Sequence, residues 1–342
     1  MSIYPNLPAT DPAGLNKKDF ASDQEVRWCP GCGDYSILAN VQKLLPTLGI
    51  PKENHVFISG IGCSSRFPYY METYGMHGIH GRAAAIASGV KIANPDLSVW
   101  VITGDGDSLA IGGNHTIHVV RRNVDLNILM FNNKIYGLTK GQYSPTSEQG
   151  KRTKSSPMGS LDYPFNPVSL TLGAHARFVA RVVDSDGKNM QKVLARAAAH
   201  KGTSFVEITQ NCPIFNDGAW EDIKDRKLAA ENQLQLEHGK PMLFAKGAKG
   251  IGIDKNMNAR VVDVEAEGLD SVLVHDETNI AMAFMLSQME GEGVPTPLGI
   301  FYCVDMPSYD QLVTEQIDLA ISKKPNGTVQ SLLESGRTWI VE

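Results

Sequence analysis

Between Val99 and Asn133 two apolar runs enclose one amphipathic segment, and this arrangement constrains the fold more than anything else in the 342 residues. The runs Val99 to Thr103 and Leu126 to Phe131 read as short strands buried on both faces. Leu109 to Arg122 reads as the helix between them, so the whole is one βαβ unit with parallel strands. Gly104-Asp105-Gly106-Asp107 follows the first run, and Asn132-Asn133 follows the second. In open α/β sheets ligands bind at the carboxyl ends of strands, where both polar signals fall. The expected fold class is α/β, with a doubly wound, mostly parallel sheet and a C-terminal extension.

These residue types suit a diphosphate held through a divalent cation. Mg²⁺ takes oxygen ligands in an octahedron, commonly one or two from protein and the rest from phosphates and water. Asp105 offers a carboxylate, Asn133 an amide oxygen 28 residues later, and Ile135 a backbone carbonyl. Gly104 and Gly106 let backbone N–H groups approach phosphate oxygens. An Asp-Gly dipeptide alone also marks an ordinary turn, and Asn132 or Asn133 an ordinary cap. The pair at this spacing, each member just after an apolar strand, is the more specific signal.

Gly-Asp-Gly, 25 residues and then Asn-Asn resembles the diphosphate and Mg²⁺ motif of thiamine diphosphate enzymes. Three further stretches, Trp28-Cys29-Pro30-Gly31-Cys32-Gly33-Asp34, Gly60-Ile61-Gly62-Cys63-Ser64-Ser65-Arg66 and Tyr136-Gly137-Leu138-Thr139-Lys140-Gly141-Gln142, resemble the β subunit of 2-oxoacid:ferredoxin oxidoreductases. The resemblance runs from Val26 to Phe215. It implies a sheet of the thiamine-diphosphate-binding type. Gly62, Ser64, Gly104, Asp105, Gly106, Asp107, Asn132, Asn133, Ile135, Tyr136, Gly137 and Leu138 would lie around the cofactor, with Asp105, Asn133 and Ile135 on Mg²⁺.

Five cysteines are too few, and odd in number, for a disulfide framework, so their spacing is read as ligand chemistry or packing. Cys29 and Cys32 form a CxxC in a glycine-rich turn; 30 residues separate Cys32 from Cys63, and 148 separate Cys63 from Cys212. Spacing alone leaves Zn²⁺ and a [4Fe–4S] cluster level, with a redox CxxC as a third reading. The resemblance implies the cluster, because the family's β subunit binds one near the thiamine diphosphate through a CxxC and two distant cysteines. Cys303, in the apolar run Gly299 to Val304, reads as a core residue.

Two loops add candidate catalytic groups. Arg66 to Gly81 is rich in glycine and aromatic residues and carries His77 and His80, with Arg82 just after it. The glycines argue for a loop and against a helical metal pair. The resemblance puts this segment at the active site, with Arg82 facing an anion. Lys134 to Pro167 is long, irregular and locally basic, which suits carboxylates and phosphates. Lys140, seven residues past Asn133, could pair with a distal carboxylate of a dicarboxylic 2-oxoacid such as 2-oxoglutarate, with Thr139 and Gln142 adding hydrogen bonds.

Three segments are expected: an N-terminal arm over 1–23, the cofactor-binding domain over 24–215, and an extension over 216–342 that contacts a partner subunit. Trp220, Tyr302 and Trp339 are its candidate anchors. A net charge of −5 argues against a nucleic-acid partner, and no run of 18 apolar residues argues for a membrane. A cytoplasmic protein is expected. The resemblance implies oxidative decarboxylation of a 2-oxoacid with coenzyme A, giving an acyl-CoA and CO₂, with electrons passing through the cluster to ferredoxin. It also implies an α subunit, or a fused α-γ subunit, because no glutamate here suits the aminopyrimidine ring. Pyruvate and branched-chain 2-oxoacids are the other substrates in view. A non-redox thiamine diphosphate decarboxylase or synthase, and a zinc-stabilised scaffold subunit, are the readings from other classes.

Overall fold

A computed structural model describes residues 10–225, 227–289, 291, 293–323 and 327–341, so 1–9 of the expected arm lie outside the described residues. Its strands are, in chain order, β1 (His55–Ser59), β2 (Tyr74–His77), β3 (Ser98–Gly104), β4 (Leu126–Asn132), β5 (Phe178–Val183), β6 (Thr203–Thr209), β7 (Gln233–Leu236), β8 (Leu243–Phe244), β9 (Lys249–Ile253), β10 (Ala259–Asp263) and β11 (Thr296–Cys303). The main sheet has the order β2-β1-β3-β4-β6-β5-β11-β7. Strands β1 to β6 pair in parallel. β11 runs antiparallel to β5 and carries β7 beside it. Strands β10, β9 and β8 form a small antiparallel sheet.

The first six helices are α1 (Asp34–Leu44), α2 (Ala83–Ala93), α3 (Asp105–Leu109), α4 (Gly113–Arg122), α5 (Pro167–Gly173) and α6 (Gly187–Ala199). The continuous apolar runs of the central strands are explained by burial on both faces. Val56, Ile58, Val99, Val101, Ile128 and Met130 pack under α2, α4 and α5. Phe57, Trp100, Ile102, Leu129, Phe131 and Val206 alternate with them and pack under α1 and α6. Phe57 and Trp100 stack with ring centroids 5.9 Å apart. Ala83, Ala84 and Ala87 bring α2 close to the sheet, and Ile37, Leu38, Val41 and Leu44 bury one side of α1. The doubly wound α/β expectation is met.

Three local expectations are corrected. The helix read from Leu109 to Arg122 begins instead at Asp105, breaks at Ala110 and resumes at Gly113. The chain at the break packs closely on the histidine segment: a Cβ added to Gly81 would lie 2.6 Å from the backbone nitrogen of Gly112, so glycine is required at position 81. The loop read from Arg66 to Gly81 contains a 3₁₀ turn, Ser64–Tyr70, and the edge strand β2. Tyr74, Gly75 and Met76 of β2 are exposed, so no apolar alternation marks the strand. Cys303 is only half-buried, at the end of β11, where Arg196 Nη2 lies 3.6 Å from its sulfur.

The segment after Phe215 does not stand apart from the sheet. It supplies β7 and β11, and Leu234, Leu236 and Phe301 join the main core. Tyr302 is buried there. Trp220 donates Nε1–H to the Asn132 carbonyl at 2.9 Å, beneath Lys134, so neither residue is an exposed anchor. Trp339 is 81% exposed. At the other end Phe20 is fully buried and Ala21 bridges to Met71, so the second half of the 1–23 arm is docked on the core. Among the described residues no helix is long and apolar enough to cross a membrane. Since Phe301 fills the core under β11, Phe301→Ala is expected to cost about 3–5 kcal/mol in urea unfolding, whereas Trp339→Ala leaves the midpoint of the same chain unchanged.

Candidate functional site

The parallel strands β1, β3, β4 and β6 all end on one edge, and the segments that follow β1, β3 and β4 meet over a cavity of about 160 Å³. Asp105, the first residue of α3, is 3% exposed there. Its Oδ2 accepts hydrogen bonds from Ser144 Oγ at 2.5 Å and Thr146 Oγ1 at 2.6 Å. Burial pushes its carboxyl up to about 6, against the pull of those two hydroxyls.

Asp107, two residues on, is spent on ties within the protein. Its Oδ1 accepts from Ile61 N at 3.0 Å, Gly81 N at 2.7 Å and His80 Nδ1 at 2.6 Å, and its Oδ2 from Thr103 Oγ1 at 2.7 Å. One carboxylate therefore joins the ends of β1 and β3 to the histidine segment. Because a carboxylate accepts, His80 presents Nδ1–H to it, which leaves Nε2 as the ring's other polar atom. Gly60 and Gly106 are required sterically: an added Cβ would lie 2.0 Å from Asp107 Oδ2 in the first case and 2.1 Å from Tyr136 Cε1 in the second. Tyr136 donates its hydroxyl to the Gly106 carbonyl at 3.1 Å.

The two asparagines face different ways. Asn133 lines the cavity with Ile135, and its Oδ1 accepts from Ile135 N at 3.1 Å. Asn132 turns inward, donating Nδ2 to Glu207 Oε1 at 2.7 Å. Lys134, between Asn133 and Ile135, has φ +53°, a left-handed conformation that costs a non-glycine residue free energy and must be held by its surroundings.

A second cavity, about 260 Å³, adjoins the first and shares Cys63, Asn133, Gly137 and Leu138 with it. Cys29, Cys32, Cys63 and Cys212 all line it, so the four predicted thiols are gathered by the turn before α1 and the ends of β1 and β6. Gly137 is wedged against two of them: an added Cβ would lie 3.5 Å from Cys63 Sγ and 3.6 Å from Cys212 Sγ. Gln210 donates Nε2–H to Cys32 Sγ at 3.1 Å. Burial pushes the Cys63 thiol up to about 12 and the Cys32 thiol higher still, with Asp34 adding to both. Bare thiolates are thus disfavoured there, and a cationic centre is the natural compensation. Among the described residues no three histidine, cysteine or carboxylate side chains close in on one point tightly enough for a single metal ion.

Of the other predicted site residues, Gly62, Ser64, His80, Gly104, Leu138 and Thr139 line the first cavity. Lys140 instead lines the thiol cavity, beside Arg27 and Arg66. His77 lines neither; its Nδ1 is 3.3 Å from the Tyr69 hydroxyl. Arg82 braces its own loop, donating to the His80 carbonyl at 3.3 Å. Sequence reasoning missed Ser144, Thr146, Gln210 and Asp34 as site groups. Asp34 is the first residue of α1 and lines the first cavity. Burial, with Asp184 adding to it, pushes Asp34 up to about 7. The run Ser144 to Ser147 is rich in hydroxyls, but no periodicity points it at Asp105.

Residues 60–208 match the thiamine pyrophosphate enzyme family's C-terminal TPP binding domain, the span from the end of β1 through most of β6. The 2-oxoglutarate oxidoreductase subunit KorB of Mycobacterium tuberculosis is 53% identical over 98% of this chain and 91% of its own length. The chain belongs to the 2-oxoacid:ferredoxin oxidoreductase β subunits. The corresponding β subunit of Saccharolobus solfataricus is 35% identical over 87% of this chain and 88% of its own. A 2-oxoglutarate:ferredoxin oxidoreductase from Magnetococcus marinus, solved with 2-oxoglutarate, coenzyme A and succinyl-CoA, superposes with a TM-score of 0.77 at 31% identity, over 95% of this chain and 97% of that one. In this β subunit one edge of the Tyr136 ring lies against Gly106. Gly106→Ala is expected to displace that ring and weaken thiamine diphosphate binding by at least about tenfold, or ~1.4 kcal/mol, measured by cofactor titration.

Proposed function

We propose that this chain, with its α subunit, oxidatively decarboxylates 2-oxoglutarate, passing the acyl group to coenzyme A and the electrons through a [4Fe–4S] cluster to ferredoxin. The observation that carries the reading is the contact between the two cavities across Gly137. A carboxylate, an amide oxygen and a peptide carbonyl face one side of that wall and four thiols the other.

The donor sets fit the two groups. Asp105, Asn133 and Ile135 offer hard oxygen atoms around one cavity, the chemistry Mg²⁺ prefers when it carries a diphosphate. A single Zn²⁺ needs sulfurs about 2.3 Å from the metal and so crowded on one another. The four thiols around the second cavity are soft donors that suit Zn²⁺ or an iron–sulfur cluster, and membership among the 2-oxoacid:ferredoxin oxidoreductase β subunits favours the cluster. Thiamine diphosphate supplies the electron sink that lets a 2-oxoacid lose carbon dioxide. The cluster supplies one-electron transfer.

This chain's own residues do the rest. Asp107 fixes the His80 ring, so that Nε2 is the atom able to hold or pass a proton at the cavity. Ile61, Phe131 and Leu138 make an apolar wall that excludes water. Lys140, Arg27 and Arg66 place positive charge around the thiol cavity, where a cluster with four thiolates carries negative charge. Lys140 is thereby better suited to that cavity than to a distal substrate carboxylate. The preference for 2-oxoglutarate rests on the M. tuberculosis and M. marinus proteins. Among the described residues no glutamate lines the first cavity, in keeping with a site completed by the α subunit.

Two outcomes test the reading. In anaerobic assays of the assembled complex with coenzyme A and ferredoxin, kcat/KM for 2-oxoglutarate should exceed that for pyruvate by at least about tenfold. Equal values, or reduction of ferredoxin without coenzyme A consumption, would contradict it. The second outcome is a pH dependence. The Asp105 carboxyl, raised to about 6, must lose its proton to bind the cation, so protons compete below that pH. Calorimetric Mg²⁺ affinity should be flat above pH 6 and fall by about tenfold per unit below it. An affinity flat down to pH 5 would remove Asp105 from the ligand set.

A further inference from the structure

Glu207 lies in the middle of β6, 1% exposed, directly across from Arg181 on β5. Arg181 Nε donates to Glu207 Oε2 at 2.7 Å, with its guanidinium over the Phe301 ring. A buried ion pair of this kind rarely adds net stability over apolar residues of the same volume, because desolvation offsets the attraction. Its other bond points to a different use. Glu207 Oε1 accepts from Asn132 Nδ2 at 2.7 Å. Since a carboxylate only accepts, that bond fixes which way the Asn132 amide faces.

The side-chain oxygen of Asn132, Oδ1, then meets both halves of the cation site. On one side Thr146 Oγ1 lies 2.9 Å from it, and the same hydroxyl reaches Asp105 Oδ2 at 2.6 Å. On the other side Lys134 N donates to it at 3.2 Å. Lys134 is the strained residue between Asn133 and Ile135, so this bond helps hold the turn that aims those two oxygens. If the amide turned over, its NH₂ would face the Lys134 N–H, which would lose its acceptor, and its oxygen would face the Glu207 carboxylate.

We propose that Glu207 is a positioning residue for the cation: by orienting the Asn132 amide it sets Asp105, through Thr146, and the Asn133–Ile135 turn, through Lys134, in one geometry. This rests on the reading of Asp105, Asn133 and Ile135 as the cation's ligands. Such outer partners of metal ligands typically tune affinity by about 10–100-fold.

The test uses the α and β subunits assembled together, with tryptophan quenching by thiamine diphosphate measured as Mg²⁺ is varied. Glu207→Gln keeps the side-chain shape but permits the amide to turn. Arg181→Met with Glu207→Leu removes both charges and strands neither, which guards against a variant that merely fails to fold. In each, the half-saturating Mg²⁺ concentration should rise by about tenfold, while thiamine diphosphate affinity at saturating Mg²⁺ returns to the wild-type value. General loosening of the fold would not give that recovery. An unchanged Mg²⁺ requirement in the paired variant, or weak cofactor binding that excess Mg²⁺ does not restore, would overturn the proposal. Thiamine diphosphate binding without Mg²⁺ dependence in the wild-type complex would instead overturn the reading on which it rests.

Discussion

Parallel pairing of β1, β3, β4 and β6 turns the ends of all four strands to one edge, and the segments that leave it, with the turn before α1 and the histidine segment after β2, carry the groups assigned to the chemistry. The buried Asp107 carboxylate converts this arrangement into a rigid one. It gathers four donors from the ends of β1 and β3 and from the histidine segment, so the loops that frame the first cavity cannot move independently. A fully satisfied carboxylate inside a sheet edge is a strong constraint, since freeing any one donor would leave a buried polar group unpaired.

The second constraint is the thinness of the wall between the cavities. Gly137 lies against the sulfurs of Cys63 and Cys212, and Tyr136 beside it lies against Gly106. No bulkier side chain fits at Gly106 without displacing that ring, and a Cβ at Gly137 would be in van der Waals contact with two sulfurs. The short stretch Tyr136 to Leu138 therefore faces the Gly104–Asp107 turn and the thiols together. Short separation between a two-electron cofactor and a one-electron carrier is what a 2-oxoacid:ferredoxin oxidoreductase requires.

Much of this was legible in the sequence because the relevant signals are periodic or fixed in spacing. The apolar runs at Val99 and Leu126 read as strands since burial on both faces leaves no polar position within them. The Gly-Asp-Gly and Asn-Asn pair and the four cysteines stood out because backbone geometry ties each to a strand end or a tight turn. What was not legible depended on distant partners. The break at Ala110 packs against Gly81, nearly thirty residues away in sequence. β2 is an exposed edge strand without alternation, and β11 reaches the sheet only after a long excursion through the small sheet. Ser144 and Thr146 look like ordinary loop hydroxyls until folding brings them to Asp105. The division of labour between Asn132 and Asn133 needs Glu207, 75 residues later, to turn one of them inward.

The central claim is that one edge of this sheet carries an iron–sulfur cluster against a thiamine diphosphate site. The most direct measurement is an anaerobic visible spectrum of the purified chain, with iron, sulfide and zinc assayed on the same sample. The account predicts a broad visible absorption that bleaches on reduction, with about four irons and four sulfides per chain and no stoichiometric zinc. A colourless chain holding one zinc per molecule would contradict it and leave the four cysteines a structural role.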